Sequence, residues 1–356
     1  MQRIVESAMP GAQILRVRPL GSDADAHDIS TKGGGYGAPL CIDVRVGGEA
    51  RKLVLHTATP NVFGHDRRAD RAAEVLLAAD TFGELPGHVR VLDVGAYRGG
   101  VDAVSLDGTG EFYLLTTYAE GTPYAEDLRR IARTGALGSE DERRHAALVS
   151  YLAGLHAPRP NDPAAAYVRA LRDTVGGGEG VFGIVDAYPE GVPAAPRDRL
   201  ERIEIECLRW RGRLRGRHER LRRTHGDFHP FNVLFDERSE LAVLDASRGC
   251  LGDPADDVTA MAINFAFFSM GHAGAWRGAL RRLWLDFWAN YARASGDDGL
   301  AGVVAPFLAW RGLVLASPVW YPSLSADERH RLLSFVEAAL ASERFEPSMA
   351  DEFFDS

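Results

Sequence analysis

The chain is poor in cysteine and has no long apolar run. Cys41, Cys207 and Cys250 are its only cysteines, and they are too scattered to form a paired metal-binding motif. The most apolar segments, residues 261–270 and 313–320, are too short to cross a bilayer core about 30 Å thick. Residues 1–20 lack the basic start and apolar run of a signal peptide. We therefore expect a cytoplasmic protein with reduced thiols and no membrane partner.

Lysine is nearly absent, because Lys32 and Lys52 are the only lysines among 356 residues. The net charge of −9 argues against a nucleic-acid partner and favours a cationic ligand. An arginine-rich segment at residues 209–223 lies in a helical pattern, for which a solvated helix face is a simpler interpretation than an RNA surface. The sequence also contains no His-Glu-x-x-His, Cys-x-x-Cys or Gly-x-Ser-x-Gly motif.

The distribution of apolar residues indicates two lobes. An apolar fraction of 46% and a charged fraction of 26% are typical of a globular protein. Residues 1–115 contain short β-type runs separated by glycine turns, with one helical pattern at 67–82, and helical patterns dominate after residue 121. Residues 160–195 have no assignable pattern. We predict an α+β fold with a small antiparallel β lobe containing one helix (1–115), a hinge (116–122) and a larger, mainly helical lobe (123–356).

The most informative segment contains Asp227, Asn232 and Asp245. Two apolar β segments flank a turn at residues 236–240 and predict a hairpin, which would bring Asn232 and Asp245 together at its open end. Their amide and carboxylate oxygens suit Mg²⁺. Asp227 lies on the loop that enters the hairpin, where a carboxylate could accept a proton from an attacking hydroxyl. Each residue alone is also a common turn former, but together they supply what phosphoryl transfer requires.

This segment resembles a known catalytic loop. His225-Gly226-Asp227-x4-Asn232 is similar to the loop of the aminoglycoside phosphotransferase and choline kinase superfamily, a relative of the protein kinases. Asp245 resembles the metal-binding aspartate of that group. The resemblance implies a protein-kinase-like fold, ATP or GTP as donor, Mg²⁺ as cofactor, and a scaffold role for His225 in holding the loop.

A second element supports the resemblance. Residues 252–257 match the Gly-Asp-Pro-x-x-Asp sequence typical of these phosphotransferases. Asp253 can cap a helix that begins at Pro254, which leaves Asp257 to hydrogen-bond the catalytic loop.

The nucleotide would be held by residues of the small lobe. A glycine-rich segment between the first two strands would let backbone amides approach phosphates, although an ordinary flexible loop would look the same. Its candidate binding residues are Lys32, Gly33, Gly34, Gly35 and Gly37. By resemblance to the interlobe hinge of the family, the Thr117 carbonyl and the Ala119 amide would pair with the base; an ordinary strand end is the alternative.

The third strand departs from the family pattern. Family members usually carry a lysine where His56 stands, and that lysine contacts phosphates and pairs with a helix glutamate, for which Glu74 is the candidate. Three explanations remain open. His56 works in its protonated form beside Glu74, Lys32 supplies the charge, or nucleotide use is impaired.

We therefore predict a small-molecule kinase that phosphorylates a hydroxyl group, as a monomer or homodimer. One candidate acceptor class is a cationic antibiotic such as an aminoglycoside, which would imply a role in resistance. The acidic tail at residues 351–356 is usually a solvated end, although it could contact a cationic acceptor by analogy with the family. The alternative is a non-catalytic, pseudokinase-like protein that binds a ligand or partner, and a protein-serine kinase is disfavoured.

Overall fold

The computed structural model describes residues 1–20, 39–59, 68–98, 102–104, 112–161, 164–246 and 250–355. They fall into two compact units. The first contains Met1–Ala119 with Asp245–Gly249, and the second contains Glu120–Leu244 with Cys250–Ser356. No helix within these ranges is long and apolar enough to span a membrane.

The first unit is built on one antiparallel sheet of six strands, in the order β1-β2-β3-β6-β4-β5. Its elements are α1 (Gln2–Ala8), β1 (Gln13–Pro19), β2 (Leu40–Val46), β3 (Glu49–Thr57), α2 (Arg68–Thr81), a 3₁₀ turn (Phe82–Glu84), β4 (Val91–Arg98), β5 (Asp102–Val104) and β6 (Phe112–Thr117). The predicted β-rich unit is therefore confirmed.

Alternate residues of β3 lie on opposite faces of this sheet. Leu53 and Leu55 of β3 pack in one buried cluster with Ile4 and Val5 of α1. Because side chains alternate along a strand, His56 lies on the opposite face. Helix α1 was not predicted from the sequence, which indicated only α2 in this region. It spans 7 residues and has no side-chain hydrogen bond at its N-cap, so its local signal is weak.

The second unit is mainly helical. Its helices are α3 (Tyr124–Thr134), α4 (Ser139–His156), α5 (Ala164–Gly176), α6 (Val181–Asp186), α7 (Arg197–Leu214), α8 (Pro254–Ser269), α9 (Arg281–Ser295), α10 (Ala305–Ala316), α11 (Ala326–Ala341) and α12 (Asp351–Phe354). A π-helical turn (Trp276–Leu280) precedes α9, and 3₁₀ turns lie at His218–Arg220, Leu300–Gly302 and Pro347–Ala350. The short strands are β7 (Thr122–Pro123), β8 (Arg222–Arg223), β9 (Val233–Phe235), β10 (Leu241–Val243) and β11 (Leu251–Gly252).

Two parts of this unit differ from the expectation. The unassigned region 160–195 contains α5 and α6; α5 begins in a run of alanines and α6 has only 6 residues, so neither produces a strong periodic signal. The tail is not a solvated end. Phe354 is buried, the Arg281 guanidinium donates two 2.7 Å hydrogen bonds to Asp351, and Arg277 pairs with Asp355.

Candidate active site

The hairpin predicted after the catalytic loop is present. Strands β9 and β10 pair antiparallel, with Val233 opposite Val243. The Leu244 N–H then donates to the Asn232 carbonyl at 2.9 Å, which closes the open end of the hairpin. Asp245 follows directly with φ of 60°, a left-handed conformation that is uncommon outside glycine. Such a conformation at a proposed metal ligand is typical of functional sites.

Asp257 anchors the backbone of the catalytic loop. It is fully buried in α8, and its two carboxylate oxygens accept the N–H groups of His225 and Gly226, each at 2.7 Å. His156 Nε2 lies 3.1 Å from the same carboxylate. Burial alone would raise the pKa of Asp257, but these hydrogen bonds and the nearby imidazoles outweigh it and hold the pKa below its ordinary value. The expected hydrogen bonding of the loop by Asp257 is confirmed.

Asp253 begins the helix that carries Asp257. Its carboxylate caps α8 by accepting the Ala255 N–H at 3.0 Å, and Pro254 occupies the first helical position, as expected. The Arg220 guanidinium also binds it with two hydrogen bonds of 2.8 and 2.9 Å, and the Tyr167 hydroxyl donates at 2.7 Å. This buried network fixes the start of α8 and therefore the position of Asp257.

Asp227 is partly exposed, with 23% of its side chain accessible. Arg311 Nη1 donates to Oδ1 at 2.5 Å, and Asn232 Nδ2 donates to Oδ2 at 3.2 Å. His229 Nε2 lies 3.3 Å from Oδ2. His229 Nδ1 accepts the Phe231 N–H, so its proton is on Nε2 and points at the carboxylate. The candidate base is thus held by several donors while remaining accessible.

Asn232 is oriented by the same carboxylate. Its amide nitrogen donates to the backbone oxygen of Asp227 at 3.1 Å as well as to Oδ2. Since the nitrogen faces Asp227, the amide oxygen is the atom left to bind a cation. The orientation of Asn232 therefore fits the metal-ligand role proposed for it.

His225 is suited to holding the loop. Its side chain is buried, and its Nδ1 accepts the Asp227 N–H at 3.3 Å. Burial lowers the pKa of His225, with the carboxylates of Asp257 and Asp227 opposing the shift in part, so the imidazole is neutral near pH 7. A neutral, enclosed imidazole can orient the neighbouring backbone, which is the scaffold role expected for it.

His56 has a different electrostatic setting from the one a phosphate-binding cation needs. It lies on β3 opposite Leu114 of β6, and burial lowers its pKa to about 4. The imidazole is therefore uncharged near pH 7, which weighs against the protonated form as the phosphate ligand. Glu74 lies on α2, partly buried.

The other predicted nucleotide contacts are only partly described. Lys32, Gly33, Gly34, Gly35 and Gly37 lie outside the described residues. Thr117 ends β6, and both its N–H and its hydroxyl are bonded to the backbone of Arg90. Ala119 follows after Tyr118, whose ring faces Lys52 Nζ at 4.9 Å. The roles of Thr117 and Ala119 in binding the base remain predictions.

Arg311 is a residue of the site that the sequence did not reveal. It is buried in α10, and it reaches a carboxylate 84 residues earlier in the chain. No motif spacing connects the two positions. A lone arginine in an otherwise apolar helix, Phe-Leu-Ala-Trp-Arg-Gly-Leu-Val-Leu, was the one available signal, because such a charge is rarely buried without a partner.

A loop that presents a fixed carboxylate before a short hairpin, anchored by a buried aspartate, defines the class of kinase-like phosphotransferases. The model of the Phosphotransferase enzyme family matches residues 43–296, and the chain belongs to this family. Membership supports phosphoryl transfer to a small molecule with ATP as the bound nucleotide. No curated protein sequence matches the chain.

Two solved structures share its fold. A protein assigned as a fructosamine-3-kinase from Haemophilus somnus is 11% identical, with a TM-score of 0.52 over 94% of this chain and 95% of that one. The amicoumacin kinase hAmiN, in complex with AMP-PNP, Ca²⁺ and Ami, is 12% identical, with a TM-score of 0.52 over 88% and 89% of the two chains. These similarities confirm the kinase-like α+β fold.

Proposed function

We propose that the chain is a Mg²⁺-dependent O-phosphotransferase that moves the γ-phosphoryl group of ATP or GTP to a hydroxyl of a small molecule. The observation that carries the proposal is the arrangement at Asp227. Its carboxylate is accessible, yet donors on Arg311 and Asn232 hold it, in a loop whose backbone is bonded to buried Asp257. Fixed geometry of this kind is the main protein contribution to phosphoryl transfer.

Each residue of the site would have a distinct role. The acceptor oxygen bonds to the γ-phosphorus as the bond to the bridging oxygen of the leaving diphosphate breaks, and the hydroxyl proton passes to Asp227. Asn232 and Asp245 would hold Mg²⁺, which neutralises charge on the phosphate oxygens. Magnesium usually takes one or two protein oxygens together with substrate phosphates, so two such ligands suffice.

The nucleotide would be held mainly by backbone groups. Thr117 and Ala119 would bind the base, and the glycine-rich segment would bind the phosphates. Because the pKa of His56 is lowered to about 4, we favour Lys32 over His56 as the source of positive charge.

The charge of the chain bears on the class of acceptor. The net charge of −9 favours a cationic compound such as an aminoglycoside. The tail does not add to that argument, since Asp351 and Asp355 are bound by Arg281 and Arg277. Asp227 itself is paired with Arg311. We therefore propose a hydroxylated small molecule and treat cationic antibiotics as one class to be tested.

A screen tests this function. Thermal shift with Mg²⁺ and ATP or GTP shows which nucleotide binds, and turnover with a panel of hydroxylated antibiotics, sugars, amino alcohols and nucleosides shows which acceptor is used. The wild-type protein should be stabilised by Mg²⁺-ATP or by Mg²⁺-GTP. It should release the corresponding nucleoside diphosphate when an acceptor is present. A chain that binds neither Mg²⁺-nucleotide is not a phosphotransferase.

The second candidate is a non-catalytic, kinase-like binding protein. The specific observation in its favour is His56, because an uncharged imidazole replaces the lysine expected on that strand. It predicts no nucleotide-dependent stabilisation in the same thermal-shift experiment.

A further inference from the structure

Arg311 connects three groups of the second unit through one guanidinium. Nη1 donates to Asp227 Oδ1 at 2.5 Å, and Nη2 donates to the Gly226 carbonyl at 2.8 Å and to Asp256 Oδ1 at 3.0 Å. The guanidinium therefore contacts both the side chain of the candidate base and the backbone just before it. A planar group with fixed donors restrains direction as well as distance.

The other end of this connection is buried. Asp256 is 7% exposed and Arg311 is 6% exposed, so solvent screens their ion pair weakly. Asp256 precedes Asp257, which binds the amides of His225 and Gly226. Consecutive carboxylates at the start of α8 thus hold the loop in two ways. Asp257 fixes its backbone directly, and Asp256 fixes the Asp227 side chain through Arg311.

The position of Arg311 is set by close helix packing. The next residue, Gly312, faces α11, where a Cβ atom would lie 2.3 Å from Val336 Cγ2. Only glycine allows α10 to approach α11 so closely. The guanidinium of Arg311 therefore belongs to a closely packed helix. Arg311 also lies C-terminal to residues 43–296, the range that matches the family model.

We propose that Arg311 is a positioning residue for the catalytic base, an inference that rests on the proposed phosphotransferase function. By binding Oδ1 it stops rotation of the Asp227 carboxylate, whose second oxygen, Oδ2, lies against the Asn232 amide and His229. The carboxylate is thereby held in one orientation toward the acceptor hydroxyl. Arginine is needed for this because its planar guanidinium has several fixed donors and binds three acceptors at once, whereas lysine is a point charge.

The test compares Arg311→Lys with Arg199→Lys. Arg199 is an equally buried arginine, 6% exposed, that donates to Glu337 and Ser334, which are not part of the site. The measurements are hydrogen–deuterium exchange of the loop at residues 224–235, nucleotide KM, and kcat for ATP with water or with an acceptor found in the screen. In Arg311→Lys, the backbone amides of the loop should exchange faster than in the wild type. Its kcat should fall by about 10- to 100-fold, while its nucleotide KM should change by less than about twofold. Arg199→Lys should leave loop exchange and kcat at wild-type values.

The outcomes separate this inference from the proposed function. If wild type turns over and Arg311→Lys keeps its kcat, or loses only nucleotide affinity, Arg311 does not position the base. If wild type binds no nucleotide and turns nothing over, the proposed function fails, and wild-type loop exchange in Arg311→Lys would overturn the contact as well. If Arg311→Lys fails to fold, Asp256→Asn takes its place in the test, because it removes only the negative charge that pairs with Arg311 and keeps Arg311 itself. It should show a smaller loss of kcat in the same direction, and an unchanged kcat would overturn the proposal.

Discussion

At the scale of single residues, Asp227 makes the sharpest prediction. Asp227→Asn keeps the shape of the side chain but removes the proton acceptor, so turnover should fall by about 100- to 10,000-fold. Nucleotide affinity should remain near wild type, because the base acts on the acceptor and not on the phosphates. Steady-state kinetics and calorimetry measure the two effects. Asp198→Asn, at an exposed ion pair on α7, is the matched control and should behave as wild type.

The metal site makes a separate prediction. Asp245→Ala should abolish the stabilisation that Mg²⁺-nucleotide gives in a thermal-shift experiment, because the charged ligand is lost. Asn232→Ala should weaken that stabilisation less but should also lower turnover, since the Asn232 amide holds Asp227. Unchanged Mg²⁺-nucleotide affinity in Asp245→Ala, measured by calorimetry, would remove this residue from the metal site.

The lowered pKa of His56 predicts how nucleotide affinity depends on pH. With its pKa lowered to about 4, His56 is neutral at both pH 6 and pH 8, so it should contribute no change in nucleotide affinity between them. His56→Gln, a neutral substitute, should bind nucleotide about as well as wild type at both pH values. Lys32→Ala should bind it more weakly. If His56→Gln lost affinity at pH 6 but not at pH 8, the protonated histidine would be the phosphate ligand after all.

At the level of secondary-structure elements, the packing of α10 against α11 can be tested by a substitution at Gly312. Gly312→Ala places a methyl group 2.3 Å from Val336 Cγ2, so the Val336 side chain or the two helices must shift. We expect a loss of about 1–3 kcal/mol in the free energy of unfolding, together with a lower kcat because Arg311 moves.

The matched control is the same substitution in another helix. Gly212 lies within α7, and a Cβ there would meet nothing within 4 Å. Gly212→Ala should therefore stabilise the protein by about 0.5–1 kcal/mol, since alanine is the better helix former. Chemical denaturation measures the free energy of unfolding of both variants. If Gly212→Ala were also destabilised, the contact with Val336 would not explain the loss in Gly312→Ala.

At the scale of the whole molecule, buried histidines predict acid sensitivity. Burial lowers the pKa of His56, His145 and His225 below the ordinary value. The unfolded chain therefore binds more protons than the folded chain below about pH 6.5, so stability should fall as pH drops from there toward 4. Above pH 7 these histidines should have no effect, because they are neutral in both states.

Melting temperature measured from pH 8 to pH 5 checks this expectation. The curve should be flat above pH 7 and should decline below it. His56→Gln should reduce the slope, since one of the three protonation sites is removed. A flat curve from pH 7 to pH 5 would show that these imidazoles are protonated in the folded state at little cost.

Much of the fold was predictable because its signals are local. Strands, the hairpin, and the capping of α8 by Asp253 depend on alternation, turn residues and short spacings that can be read along the chain. Three helices escaped prediction. Helices α1 and α6, with 7 and 6 residues, are too short for a periodic pattern, and α5 begins in a run of alanines that gives no apolar stripe.

The amino-acid sequence alone establishes that a β-rich part precedes a mainly helical one, and it singles out the loop residues Asp227, Asn232 and Asp245 as candidates, because the spacing of a motif survives without a structure. Only the tertiary structure revealed Arg311 beside Asp227, 84 residues away, and the arginines that bind the acidic tail. It also decided the state of His56, whose pKa depends on burial within the sheet. Ion pairing and desolvation are set by which distant residues meet, and no local pattern of amino acids encodes those contacts.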